Sequence, residues 1–259
     1  MNAIEFKNVS FHYHFEHSII KDIDFLVENG STTIILGKNG SGKSTILKLL
    51  MGFEKPIDGQ IFIEGKSLDY FSILEKSRIL AYVSQDIFSQ FDFSVEDYLL
   101  FGVTNTLNFI SLPKQEHLML VNTYVDQFHI NHLLEKKMDR LSGGERQIVM
   151  ICRAFIQGSR IIVLDEPLSA LDFVNQNKVL KLLKDISGKG KTIIFTTHNP
   201  NHALFLDANV VFLSNKQIVA KGRAREVLSL TLLNDVYEHS IGMSKDQPYE
   251  EFSVKNDEI

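Results

Sequence analysis

The N-terminal stretch of the chain alternates between apolar and polar positions. Ile4, Phe6, Val9, Phe11 and Tyr13 are interleaved with polar neighbours, as are Ile23, Phe25 and Val27 in DIDFLVENG, and Ile61-Phe62-Ile63 follows later. This pattern predicts strands of an antiparallel sheet with one wet face. A second pattern is the short, unbroken apolar run: TTIILG ending at Gly37, then ILAYVS (79–84), IIVLD (161–165), TIIFTT (192–197) and NVVFLS (209–214). Such runs suit strands buried on both faces. TILKLLM reads as a helix that stops at Gly52, a natural C-cap. Strands alternating with helices predict an α/β core with a mostly parallel sheet, to which the N-terminal strands add an antiparallel β subdomain.

The segment from about Asp86 to Gly158 carries helix-period stretches and no convincing strand, so it reads as an inserted α-helical subdomain. Its last helix is the clearest in the chain. Ile148, Ile151, Cys152, Phe155 and Ile156 form one apolar stripe, closed by Gly158. Cys152 sits on that stripe and is expected to be a packing residue. One domain over residues 1–240 is expected, with a polar, acid-rich and loosely ordered tail over 241–259.

Composition narrows the classes. At 259 residues and 44% hydrophobic, the chain can bury a sizeable core. No apolar run approaches the roughly 18 residues a membrane helix needs. The start, MNAIEFKNVSF, shows neither a basic leader nor an apolar signal core, and the single cysteine excludes an internal disulfide or a Cys-rich zinc site. A soluble, cytoplasmic chain is expected. Twenty-seven basic against 32 acidic residues give a formal charge of −5, so nucleic acid is not the expected partner.

Three stretches carry chemistry. GKNGSGKS (Gly37 to Ser44) matches the phosphate-loop pattern and stands between a predicted strand and a predicted helix, the context that supports it. Glycines at 37, 40 and 42 let backbone N–H groups curl around phosphate oxygens. Lys43 can reach the β- and γ-phosphates, and the Ser44 hydroxyl can ligate Mg²⁺. The nucleotide-binding run is therefore Gly37, Lys38, Asn39, Gly40, Ser41, Gly42, Lys43, Ser44 and Thr45. In IIVLDEP, Asp165 falls at the C-terminal end of a buried strand, where it can hold Mg²⁺, usually through water. Glu166 follows and is free to orient or deprotonate a water, which points to hydrolysis. In LSGGERQ, Ser142, Gly143 and Gly144 open a strong helix and form an anion site, Ser142 being also its N-cap.

In this order, along nearly the whole chain, these stretches resemble ATP-binding cassette (ABC) ATPases. Leu141, Ser142, Gly143, Gly144 and Glu145 are similar to the signature sequence of that family, with Glu145 where Gln is also common. Tyr13 corresponds to the aromatic that stacks on adenine, and Gln85 in AYVSQD to the Q-loop glutamine at the metal. Ser169-Ala170-Leu171-Asp172 resembles the D-loop, and His198 in FTTHNP the switch histidine that contacts the γ-phosphate. Leu168 stands where Thr is frequent.

The resemblance implies a homodimer packed head to tail, each ATP held between one phosphate loop and the partner's signature. It also implies an importer whose transmembrane permease subunits are encoded separately and dock near Gln85 and residues 86–102, DIFSQFDFSVEDYLLFG. A substrate-binding protein would complete the system, on the cytoplasmic side of the inner membrane. SALDFVNQ (169–176) and THNPNHALFLDANVVFLSNKQIVAKG (197–222) are similar to the ATPases of metal-chelate importers. Ferric siderophore is the expected cargo, with haem, cobalamin, molybdate or zinc as alternatives, and a soluble ABC ATPase acting on nucleic acid or ribosomes is the competing reading.

Overall fold

The computed structural model describes residues 2–13, 18–85, 92–106, 113–237, 241–244 and 251–254. The chain divides into two compact units, 1–68 with 196–259, and 69–195. The first opens with β1 (Asn2–His12), β2 (Ser18–Glu28), β3 (Thr32–Gly37), α1 (Lys43–Met51), β4 (Asp58–Ile63) and the short β5 (Lys66–Ser67). The second holds α2 (Ile73–Ile79), β6 (Leu80–Val83), α3 (Val95–Leu100), α4 (Gln115–Phe128), α5 (Gly143–Ile156), β7 (Ile161–Leu164) and α6 (Phe173–Ser187). β8 (Thr192–Thr197) leads back to the first unit, which closes with α7 (Pro200–Phe205), β9 (Asn209–Ser214), β10 (Gln217–Arg223), α8 (Ala224–Val227), α9 (Leu230–Val236), β11 (Ile241–Ser244) and β12 (Glu251–Val254).

The expected antiparallel sheet is present in the order β2-β1-β4-β5. Ile4, Phe6, Val9 and Phe11 are all buried although Phe6 and Val9 are three apart. Bulges reconcile the spacing: the register shifts between Phe6 and Val9 and again between Val9 and Phe11, and Asn8 on β1 and Asp22 on β2 both take φ 48°. The irregular backbone is satisfied by side chains, Asn8 N–H donating to Asp24 Oδ1 and Asp22 N–H to Ser10 Oγ. Phe6 and Phe25 stack at 4.5 Å beneath.

In the same unit β3 runs parallel to β9 from Thr33↔Asn209 to Gly37↔Leu213, with β10 antiparallel beyond. All six residues of β3 are buried, so its sequence is continuous rather than alternating. In the second unit β6, β7 and β8 are parallel. The expected buried strands are therefore present, and both units contain parallel pairs.

Between β6 and β7 the longer elements among the described residues are helices, with one isolated bridge between Ser94 and Lys137. Tyr124 and Phe128 of α4 pack on Phe155 of α5. The buried face of α5 is wider than the stripe expected from the sequence. Gln147 and Val149 are buried, while Ile148 is only half-buried. Cys152 is fully buried and its thiol is pushed upward by desolvation, so it is the packing residue expected. No described helix is long and apolar enough to cross a membrane.

The C-terminal stretch differs from expectation. Instead of a loosely ordered end, β11 and β12 pair antiparallel, Ile241 opposite Val254 and Met243 opposite Phe252. The overall polarity of the segment hides two short alternating runs, IGMS and EFSV.

Candidate ATPase site

In the first unit, β3 delivers the chain into the loop at Gly37. A Cβ there would lie 2.6 Å from both Leu213 O and Ser41 Oγ, so only glycine fits. Gly42 then takes φ 103°, a left-handed conformation that ends the loop and serves as the N-cap of α1 without a side-chain cap. The first N–H groups of α1 thus meet no capping side chain at that position. Ser41 Oγ is buried and has no hydrogen-bond partner. Lys43 is 5% exposed and folds back over the loop, donating to Gly37 O at 3.0 Å and Lys38 O at 3.2 Å. Ser44 is half-buried and Thr45 buried, while Asn39 and Gly40 face solvent. A lysine folded onto the loop's own carbonyls, beside the unpartnered Ser41 hydroxyl at the start of a helix, is a cradle suited to an anion.

Two other expected residues lie in this unit. Tyr13, at the end of β1, is 44% exposed and meets Phe11 edge-on at 4.8 Å, leaving it able to stack on a planar ligand. His198 is exposed just after β8. Its loop is fixed on the C-terminal side, where Asn199 N–H donates to Thr197 Oγ1 and the Asn199 side chain caps α7.

In the second unit the fully buried β7 ends in Asp165 and Glu166, 3% and 8% exposed. Asp165 N–H donates to Val83 O at 2.8 Å, which holds the carboxylate at the end of the parallel strands. Glu166 has φ 47°, a left-handed conformation uncommon for a residue with a side chain. Ser169 closes the turn, its N–H and Oγ both donating to Glu166 O. Gln85 is exposed two residues beyond β6. Of the expected docking stretch, 86–91 lie outside the described residues. In the remainder, Phe93 and Phe101 are 38% and 41% exposed and stack edge-on at 5.0 Å.

The signature stretch occupies the start of α5. Leu141 is buried, and Ser142 caps the helix in a reciprocal box: Glu145 N–H donates to Ser142 Oγ at 3.2 Å, and Ser142 N–H to Glu145 Oε2 at 2.9 Å. Neither glycine is demanded by the fold. A Cβ on Gly143 would meet nothing nearer than 4.0 Å, and one on Gly144 would make only ordinary contacts of 3.4–3.5 Å with Ala170 and Leu171. Two helix-weakening glycines without a packing reason are suited to close approach by an external group. The same turn shares a cavity of about 750 Å³ with Ala170 and Asp172. Asp172 has a structural task as well, capping α6 by accepting from Asn175 N–H at 2.8 Å.

The Glu145 carboxyl is held well below the ordinary carboxylate value, at about 2, first by the Ser142 backbone N–H and then by Lys136 at 3.0 Å. Charged Glu145 therefore stabilises the fold above pH 4.5, its ordinary value, and that contribution fades as pH falls toward 2. The pair is part-exposed and screened, so the effect is at most about 1 kcal/mol. Glu145→Gln is expected to lower the denaturation midpoint slightly at neutral pH. The gap to wild type should narrow below about pH 4.5 in chemical unfolding followed across pH.

Sequence reading missed two supports. Arg146 donates to Met138 O and Leu141 O, pinning the turn before the signature, and Gln176 donates to Leu168 O and Leu171 O, pinning the D-loop. Both act through backbone carbonyls, for which no local motif exists.

A phosphate loop between a buried parallel strand and a helix defines a P-loop nucleoside triphosphatase. Residues 20–169 match the ABC transporter family model, more than half the chain, and the chain belongs to that family; it is an ABC ATPase that hydrolyses ATP. It is 35% identical over 228 residues to the molybdate import ATP-binding protein MolC of Haemophilus influenzae, covering 88% of this chain and 85% of that one. It is 32% identical over 238 residues to an ATP-binding protein of Helicobacter pylori assigned to iron chelatin transport, covering 91% and 93%. Among solved structures, a chain of a transporter assigned to the metal-chelate type, in an inward-facing conformation, superposes with a TM-score of 0.82 at 30% identity, over 97% of this chain and 94% of that one.

Proposed function

We propose that this chain is the ATP-hydrolysing motor of a membrane importer for a metal chelate, working as a head-to-tail homodimer beneath separately encoded permease subunits. The observation that supports the importer class is the likeness over nearly the full length to a metal-chelate type transporter chain. The relatives named for molybdate and iron chelatin point to the same class of cargo. Ferric siderophore is the cargo we favour. The chain would then work at the cytoplasmic face of the inner membrane, in a system completed by a substrate-binding protein.

The residue roles combine the chemistry of these side chains with the resemblance to ABC ATPases. Tyr13 stacks on the adenine. The backbone N–H groups of residues 38–45 receive the phosphates, and Lys43 exchanges its carbonyl partners for β- and γ-oxygens. Ser44, Asp165 and Gln85 would hold Mg²⁺, which supplies charge neutralisation at the phosphates when bound. An oxygen set of this kind suits the ion, and Ser44 stands directly after the lysine, one residue into α1. Glu166 orients the attacking water and takes its proton as the bond to ADP breaks. His198 contacts the γ-phosphate and keeps it in line.

Ser142 and its neighbouring N–H groups receive the γ-phosphate bound by the other subunit, with Asp172 beside them. This assigns a role to the two glycines that the fold itself does not require. Ser142→Arg is expected to leave ATP binding by the monomer within about twofold and to reduce turnover at least tenfold, read by equilibrium binding and steady-state hydrolysis. Unchanged turnover would remove the cross-subunit role.

Gln85 and the exposed aromatic pair Phe93 and Phe101 would face the permease. Cells lacking the chain, complemented with wild type or Glu166→Gln and offered labelled ferric siderophore, haem, cobalamin and molybdate, test the function. Loss of one uptake, restored by wild type alone, is expected. Normal uptake of all four without the chain would overturn the chelate assignment.

A further inference from the structure

Tyr237 follows α9 directly and belongs to none of the sequence motifs. Its hydroxyl donates to the backbone carbonyl of His198 at 2.8 Å. Its ring rests against Phe212, with centroids 6.2 Å apart and planes tilted by 33°, and the Lys38 ammonium lies over it at 6.0 Å from the centroid. All four residues belong to the same unit. Phe212 is fully buried and registered with Leu36, the residue before the phosphate loop begins, so the ring sits on a rigid base.

The hydrogen bonds to Thr197 and the cap of α7 fix the chain on the far side of His198. The carbonyl of His198 itself is held by Tyr237. An exposed imidazole takes its direction from the backbone that carries it. We propose that Tyr237 is a positioning residue of the ATPase site, holding the His198 loop and the Lys38 end of the phosphate loop in fixed relation. The inference rests on the role given to His198 above. Misplacement of a reacting group by about 1 Å costs as much as a hundredfold in rate, so one well-placed donor has leverage on turnover without touching ATP.

Tyr237→Phe keeps the ring and its contacts with Phe212 and Lys38 and removes only the donor. The purified full chain is assayed for steady-state hydrolysis and for binding of a fluorescent ATP analogue as wild type, Tyr237→Phe, His198→Ala and the double variant. Tyr237→Phe is expected to lower kcat about 3- to 10-fold, the range of one hydrogen bond, with nucleotide affinity within about twofold of wild type. The double variant is expected to match His198→Ala alone, because the effect runs through the histidine. A wild-type rate for Tyr237→Phe, a loss that multiplies with that of His198→Ala, or an equal loss of nucleotide binding would overturn the proposal. A wild-type rate for His198→Ala would identify the histidine assignment as the failed step, and would withdraw the route through which Tyr237 acts.

Discussion

Glu166→Gln should bind ATP as wild type does while its turnover falls by about 10² to 10⁴, the usual worth of a positioned general base. The amide is nearly isosteric and keeps the turn, since Ser169 bonds to the Glu166 backbone carbonyl rather than to its side chain. What is lost is the ability to accept a proton from water. The left-handed backbone at 166 is strained for any residue with a Cβ, so the substitution adds no new strain there. Single-turnover hydrolysis together with equilibrium ATP binding separates the two effects. A normal rate would take Glu166 out of the chemistry and leave Asp165 as the carboxylate to examine.

Lys43→Ala acts earlier, on binding. The ammonium is almost fully buried and already desolvated, so exchanging Gly37 O and Lys38 O for phosphate oxygens trades neutral acceptors for charged ones. Hydrogen bonds to charged groups are worth about 1.5–3 kcal/mol, which corresponds to ATP affinity weaker by roughly 10- to 100-fold. Its contribution to the transition state is lost as well, so kcat should fall at saturating ATP. Affinity within twofold of wild type would mean that the lysine stays folded onto its loop when nucleotide is bound.

The parts of this protein that were legible in the sequence are those whose cause is local. The phosphate loop is legible because Gly37 and Gly42 are imposed by a close approach and a left-handed turn within a few residues. The buried strands are legible because full burial writes an unbroken apolar run, and Ser142 because a capping box spans only four positions. Supports aimed at backbone carbonyls left no such trace, whether near in the chain, as for Arg146 and Gln176, or distant, as for Tyr237. Arg146, Gln176 and Tyr237 each bond to backbone carbonyls, which any sequence supplies, so nothing at the far end marks the partner. The paired bulges at Asn8 and Asp22 were visible only as an odd spacing between Phe6 and Val9. The hairpin of β11 and β12 was masked because four-residue strands in a polar segment contribute little to its average composition.

In the proposed dimer the phosphate loop and the signature of one chain serve different copies of ATP. The most direct test is the mass in solution of Glu166→Gln with ATP, compared with the same chain carrying Ser142→Arg as well, by light scattering on a sizing column. A species of twice the 29.5 kDa chain is expected for Glu166→Gln with ATP, and a return to 29.5 kDa when Ser142→Arg is added although ATP still binds. Monomer for both proteins with ATP bound, or an ATP-dependent dimer that Ser142→Arg leaves intact, would contradict it.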